Sequence, residues 1–147
     1  MKAAASEHKA ATFVLDASVT VAWCFLDEQS KSAASVLDAL EKGRAIVPAL
    51  WAFEVGNVLR MGELRKRSTK EDTMYWLEFL SKLPIVIDDC IVTGVWEKLL
   101  DLAREQRITV YDAAYLELAR RLSLPLATLD RHLASAAKKA GVALYRA

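Results

Sequence analysis

Thr12-Phe13-Val14-Leu15-Asp16-Ala17-Ser18 is the stretch that decides the fold. Three consecutive apolar residues run into a carboxylate, and a helical pattern (Val19, Val21, Ala22, Trp23, Phe25) begins at once. Such a run reads as the buried first strand of an α/β sheet, delivering Asp16 to its carboxyl end. In open α/β sheets, ligands and chemistry gather at that edge. The rest of the chain is therefore read for acidic residues that would meet Asp16.

Moving outward, Ser30 to Lys42 has helical spacing and stops at Gly43, and Ala45-Ile46-Val47 is a short strand. Pro48 opens a long helix carrying Leu50, Trp51, Phe53, Val55, Val58, Leu59 and Met61. Ser68 or Thr69 starts the next, with Glu71 and Asp72 in its first turn. Pro84 to Asp88 reads as a third strand. Helices follow over about Ile91–Gln106 and Val110–Leu122. Leu124 to Thr128 is a fourth strand, with Pro125 confined to its start. A last helix carries Leu133, Ala136, Ala137 and Ala140, and Val142-Ala143-Leu144-Tyr145 is expected as a fifth strand. Strands alternating with helices over short connections predict a three-layer α/β domain with a mostly parallel sheet.

The 147 residues suit one domain, and 54% hydrophobic with 27% charged residues is a globular composition. Met1 to Ala11 lack an apolar core and read as an N-terminal extension, leaving 12–147 as the domain. No apolar run approaches a membrane span, so no membrane role is expected. Cys24 and Cys90 stand far apart in apolar surroundings and read as buried thiols in a reducing cytoplasm. The net charge of +1 conceals basic runs: Arg60, Arg65, Lys66, Arg67 and Lys70; Arg120 and Arg121; Arg131, Lys138 and Lys139. Runs of this kind are weak evidence for nucleic-acid binding by themselves.

Four carboxylates stand out: Asp16, Glu54, Asp112 and Asp130. Asp16 and Asp130 each follow a strand and precede a helix, where Asp is a favoured N-cap. Thr109 to Asp112 has capping-box spacing. Glu54 lies among apolar neighbours, where a lone carboxylate is costly to bury unless paired or metal-bound; the alternative is a narrow solvated stripe shared with Asn57. Capping therefore competes with a site at three of these positions. A doubly wound sheet favours the site, because its first and fourth strands flank one crevice. Asp112, opening the helix before the fourth strand, falls at the same end. Clustered carboxylates repel one another and call for a cation, and hard oxygen donors suit Mg²⁺ or Mn²⁺ rather than zinc.

Four segments together carry a resemblance: Phe13 to Ser18, Pro48 through Glu54-Val55-x-Asn57-x-Leu59, Tyr111-Asp112-Ala113-Ala114-Tyr115, and Leu126 to Asp130. In this order they resemble the motifs of PIN-domain ribonucleases, more specifically VapC-type toxins of bacterial toxin–antitoxin pairs. The resemblance implies a five-stranded parallel sheet in the order 3-2-1-4-5 and Mg²⁺- or Mn²⁺-dependent cleavage of RNA. By position it makes Asp16, Glu54, Asp112 and Asp130 the acidic tetrad, with Ser18, Asn57 and Thr128 as polar supports. It also implies a homodimer and a VapB-type antitoxin bound in a groove among the first four helices. Those helices are rich in large apolar side chains (Trp23, Phe25, Trp51, Phe53, Trp76, Phe79), some of which should then be exposed.

Other readings fit less well. Haloacid-dehalogenase chemistry needs a second Asp where Ser18 stands, and a receiver domain wants acids where Val14 and Leu15 stand. His8 and His132 are the two histidines and His8 falls in the expected N-terminal extension, which argues against a histidine-pair nuclease or a histidine-based zinc site, and no phosphate-cradling glycine loop exists. The non-enzymatic alternative is a PIN-like binding module whose acids are only caps. Trp23, Trp51, Trp76 and Trp96 all fall in helical patterns, and core packing accounts for most of them.

Overall fold

The computed structural model describes residues 10–25, 27 and 30–146. The expected extension, 1–11, falls almost entirely outside them, although the Ala11 carbonyl accepts a 2.9 Å hydrogen bond from Arg44 N. Strand β1 (Thr12–Leu15) leads into α1 (Ala17–Cys24) and α2 (Lys31–Ala39). Next come β2 (Arg44–Val47), α3 (Leu50–Leu64), α4 (Lys70–Ser81) and β3 (Ile85–Ile87). The chain closes with α5 (Trp96–Gln106), α6 (Val110–Leu122), β4 (Leu126–Ala127) and α7 (Arg131–Lys139).

The sheet is parallel throughout, in the order β3-β2-β1-β4. The fifth strand expected over Val142–Tyr145 shrinks to one parallel bridge between Leu126 and Leu144, so the sheet has four strands where five were expected. Its backbone does lie along β4: Leu126 N donates to Ala143 O and Tyr145 N to Leu126 O. With only two residues in β4, there is no room for a longer ladder.

Phe13, Val14 and Leu15 are all completely buried, because β1 is central and covered on both faces. Alternation divides them. Val14 joins a cluster with Leu99, Leu116 and Leu133 from α5, α6 and α7. Phe13 and Leu15 join Val19, Ala33 and Val36 from α1 and α2. A third cluster ties α1 to α3 and α4 through Phe25, Val55, Leu59 and Leu80.

Local chemistry sets the boundaries. Thr69 is the cap of α4, with a reciprocal box in which Asp72 N donates to Thr69 Oγ1 and Thr69 N to Asp72 Oδ2. The helix expected from Ile91 begins as a 3₁₀ turn over Val92–Val95, and α5 proper starts at Trp96. β-Branched Val92, Thr93 and Val95 around Gly94 are poor α-helix formers. Gly43 is required where the chain re-enters β2, because a Cβ there would strike the carbonyl oxygens of Ala11 and Ala39. Cys24 is buried, which pushes its thiol up to about 11, but Cys90 is only partly buried, contrary to expectation. Trp23 and Trp51 spend their indole N–H groups on Ala33 O and Thr20 Oγ1, whereas Trp96 is 57% exposed and is not a core residue.

Arg121, expected in a solvated basic run, is an internal tie. It donates to Glu117 Oε1 at 2.8 Å and Asp88 Oδ2 at 2.6 Å, joining α6 to the segment after β3. Glu117 has an 8% exposed side chain, so Arg121→Ala strands a buried charge. The expected loss is about 2 kcal/mol, or about 4–8 °C in thermal melting, below the full cost of a buried pair because Arg121 is itself 31% exposed.

Candidate active site

Parallel strands put all their carboxyl ends on one edge; Asp16 and Asp130 lie in the loops there, and Glu54 and Asp112 on the first two turns of α3 and α6. Asp16 N donates to Ala127 O, which ties the end of β1 to the end of β4. Asp16 occupies the N-cap position of α1, yet its carboxylate makes no cap hydrogen bond. Instead Oδ2 accepts from Ser18 Oγ at 2.6 Å and from Thr128 Oγ1 at 2.7 Å. Each hydroxyl also accepts from the β4–α7 loop: Leu129 N donates to Ser18 Oγ, and Asp130 N to Thr128 Oγ1. Two hydroxyls thus weld the loop bearing Asp130 to the loop bearing Asp16.

Asp130 does serve as a cap. Its Oδ1 accepts from His132 N and Leu133 N, and among the described residues Oδ2 has no hydrogen bond. At Asp112 the capping arrangement is only half formed: Thr109 Oγ1 accepts from Asp112 N, and the Asp112 carboxylate has no hydrogen-bond partner among the described residues. Glu54, on the second turn of α3, accepts a 2.6 Å hydrogen bond from Tyr115 Oη through Oε1. Tyr115 is completely buried on α6, one turn after Asp112.

The four carboxylates share one field. Burial raises the pKa of Asp16, opposed by the Ser18 and Thr128 hydrogen bonds and reinforced by the charge of Asp130. Burial also raises Glu54, with further upward pushes from Asp16 and Asp112. Asp112 is raised by burial, then by Asp130 and Asp16. Burial, the hydrogen bond to Glu54 and the nearby negative charges keep the Tyr115 proton in place far above the ordinary phenol range. Among the described residues, none of the four acids pairs with Lys or Arg.

This donor set fits a hard divalent cation: carboxylate oxygens, mutually repelling, several uncommitted, and among the described residues none paired with Lys or Arg. Among the described residues no three of them already converge as a coordination shell, so a cation would have to draw them together. Ser18 and Thr128 are in place as supports for Asp16. Asn57 is exposed, and its side chain makes no hydrogen bond among the described residues. Tyr115 was not singled out from the sequence as a functional residue. Its signal was the spacing to Asp112, which puts both on one face of α6.

The fold and an acidic cleft at the sheet's carboxyl edge define a class, and the PIN domain family matches residues 13–139; the chain belongs to that family. It is 32% identical over 125 residues, covering 82% of this chain and 91% of the relative, to ribonuclease VapC3 of Pyrobaculum aerophilum. The crystal structure of PAE2754 from Pyrobaculum aerophilum matches with a TM-score of 0.62 at 25% identity, covering 86% of this chain and 80% of that one. FitAcB from Neisseria gonorrhoeae matches in fold with a TM-score of 0.60 at 21% identity, over 91% and 96% of the two chains.

Proposed function

We propose that this VapC-type PIN ribonuclease, the toxin of a toxin–antitoxin pair, hydrolyses RNA with a Mg²⁺ or Mn²⁺ ion held at the acidic tetrad. The supporting observation is four carboxylates in one field, none of them paired with Lys or Arg among the described residues. Asp16 and Asp112 are assigned to hold the principal ion, with Glu54 and Asp130 completing the set directly or through water. A bound ion supplies a more acidic water and compensates charge on the phosphate. Ser18 and Thr128 orient Asp16 and, through backbone N–H groups, the Asp130 loop. Tyr115 orients Glu54.

Hydrolysis consumes one water, breaks the P–O3′ bond and leaves a 5′-phosphate and a 3′-hydroxyl. Mapping the ends of RNA cleaved in Mg²⁺ or Mn²⁺, beside a chelated control, tests this. Metal-dependent 5′-phosphate ends are expected. A 2′,3′-cyclic phosphate, or equal cleavage in chelator, overturns the mechanism.

The partners assigned are an antitoxin and a second copy of the chain. Support for the first comes from apolar side chains left in solvent on α3 and α4: Phe53 is 80% exposed, Tyr75 70% and Met74 61%. Of the aromatic residues expected there, Phe25 is instead buried in the core. No helix among the described residues is long and apolar enough to cross a membrane, and a cytoplasmic location accords with RNA as substrate.

A further inference from the structure

A groove of about 690 Å³ beside the tetrad runs between α2 and α7 over the outer edge of β4, and Asp130 is in its lining. We propose that it carries the phosphodiester backbone of the substrate strand into the site. The inference rests on the reading that RNA is cut at the tetrad.

Its lining includes Lys31, Arg131 and Arg146. Among the described residues none of the three forms an ion pair. Several other arginines of the basic runs in the sequence are already engaged. Arg60 pairs with Glu63 and Arg67 with Asp27, Arg121 is tied to Glu117 and Asp88, and Arg120 donates to Ala140 O. Uncompensated cations grouped along one groove attract a polyanion.

Two further features suit a phosphate backbone. The helices α2 and α7 begin at the groove, with Lys31 and Arg131 as their first residues, so both positive helix ends add to the cationic field. Ser32 and Ser35 supply hydroxyls to the same wall, and Tyr145 is held there by stacking on Phe13 at a ring separation of 4.3 Å. Asp130 is the only carboxylate in the lining, and it marks the catalytic end. A strand following this path enters from the side of β4 and meets Asp130 before the other three acids.

The test uses a fluorescein-labelled, mixed-sequence single-stranded RNA, bound in chelator so that it stays intact, at several salt concentrations. Lys31→Ala/Arg131→Ala/Arg146→Ala is expected to weaken binding at least tenfold and to flatten the log K against log salt slope by about two, the share of three phosphate contacts on a single strand. With Mn²⁺ present, the loss should fall chiefly on KM. Lys31→Arg/Arg131→Lys keeps the charges and should bind as wild type does. Arg60→Ala/Arg65→Ala/Lys70→Ala removes as many charges elsewhere and should stay within about twofold of wild type. Equal weakening by both triple variants, or none by the first, overturns the groove assignment while leaving tetrad cleavage intact. Loss of antitoxin binding with unchanged RNA affinity also overturns it, giving the groove to a protein. A wild type that neither binds nor cleaves RNA fails the underlying reading as well.

Discussion

Asp112→Asn is expected to lower metal-dependent RNA cleavage about a thousandfold while the protein remains folded, the loss corresponding to several kcal/mol of charge stabilisation at the phosphate. The structure makes this a clean substitution. The start of α6 is capped through the Asp112 N–H and Thr109 Oγ1, and the Asp112 carboxylate takes no part. Asn preserves the backbone donor and the side-chain shape while discarding the charge. Burial and the charges of Asp130 and Asp16 raise the Asp112 pKa, so the folded protein binds that proton more tightly than the unfolded chain does. The contribution of Asp112 to the stability of the metal-free protein is therefore greatest below the ordinary carboxylate range and is lost as pH rises through the raised value. At neutral pH the ionised group costs stability. Asp112→Asn should then melt higher than wild type without metal, and Mn²⁺ should raise wild type more than the variant. Thermal melts at acid and neutral pH, with and without Mn²⁺, check both signs. Unchanged cleavage would return Asp112 to the status of a residue that merely follows a cap.

Tyr115→Phe is expected to weaken Mn²⁺ binding 10–100-fold, the usual consequence of removing a group that orients a metal-binding carboxylate. The Tyr115 ring is part of the main core cluster, and Phe keeps that packing. What is lost is the hydroxyl donating to Glu54 Oε1 at 2.6 Å. This bond fixes a side chain of α3 to the same helix that presents Asp112, so it sets where two of the four acids stand relative to one another. The bond also favours the ionised form of Glu54 against the upward push of burial. Calorimetric Mn²⁺ titration of wild type, Tyr115→Phe, Glu54→Gln and the double variant forms the measurement. The tyrosine substitution should matter in the wild-type background and have little further effect once Glu54 is Gln. Equal Mn²⁺ affinity in wild type and Tyr115→Phe would make the residue a packing element alone.

Much of the fold was legible because β1 is a short apolar run on consecutive residues, the pattern of a strand covered on both faces, with a helical pattern starting directly after it. Helix α6 was read to its observed ends because Thr109 caps one side and the apolar spacing stops at Leu122. Val142–Tyr145 was misread as a strand: its composition is strand-like, but a ladder needs a partner, and β4 offers two residues. The 3₁₀ turn before α5 was missed because apolar spacing near Gly94 resembles a helix while local backbone preference does not. The acids were found in sequence as candidates, with capping the favoured reading of three of them taken singly and only their joint placement favouring a site. Coordinates separate those roles by asking which atom makes the bond: Asp130 caps with its carboxylate, Asp112 sits in a cap through its N–H, and Asp16 turns to two hydroxyls.

By itself the sequence determined the α/β class, the strand order from β1 to β4, the family, and the residues that carry negative charge at the sheet edge. The class follows from local periodicity and the charges from the residues themselves; the strand order and the family are what the resemblance carried by four short, contiguous motifs implies. Tertiary structure decided which charges are spent and which are free. Arg120 and Arg121, adjacent and conspicuous in the chain, are consumed by internal bonds. Lys31, Arg131 and Arg146, scattered over most of its length, meet along one groove. Pairing depends on distances between elements that lie far apart in the chain, and those distances exist only once the sheet has assembled.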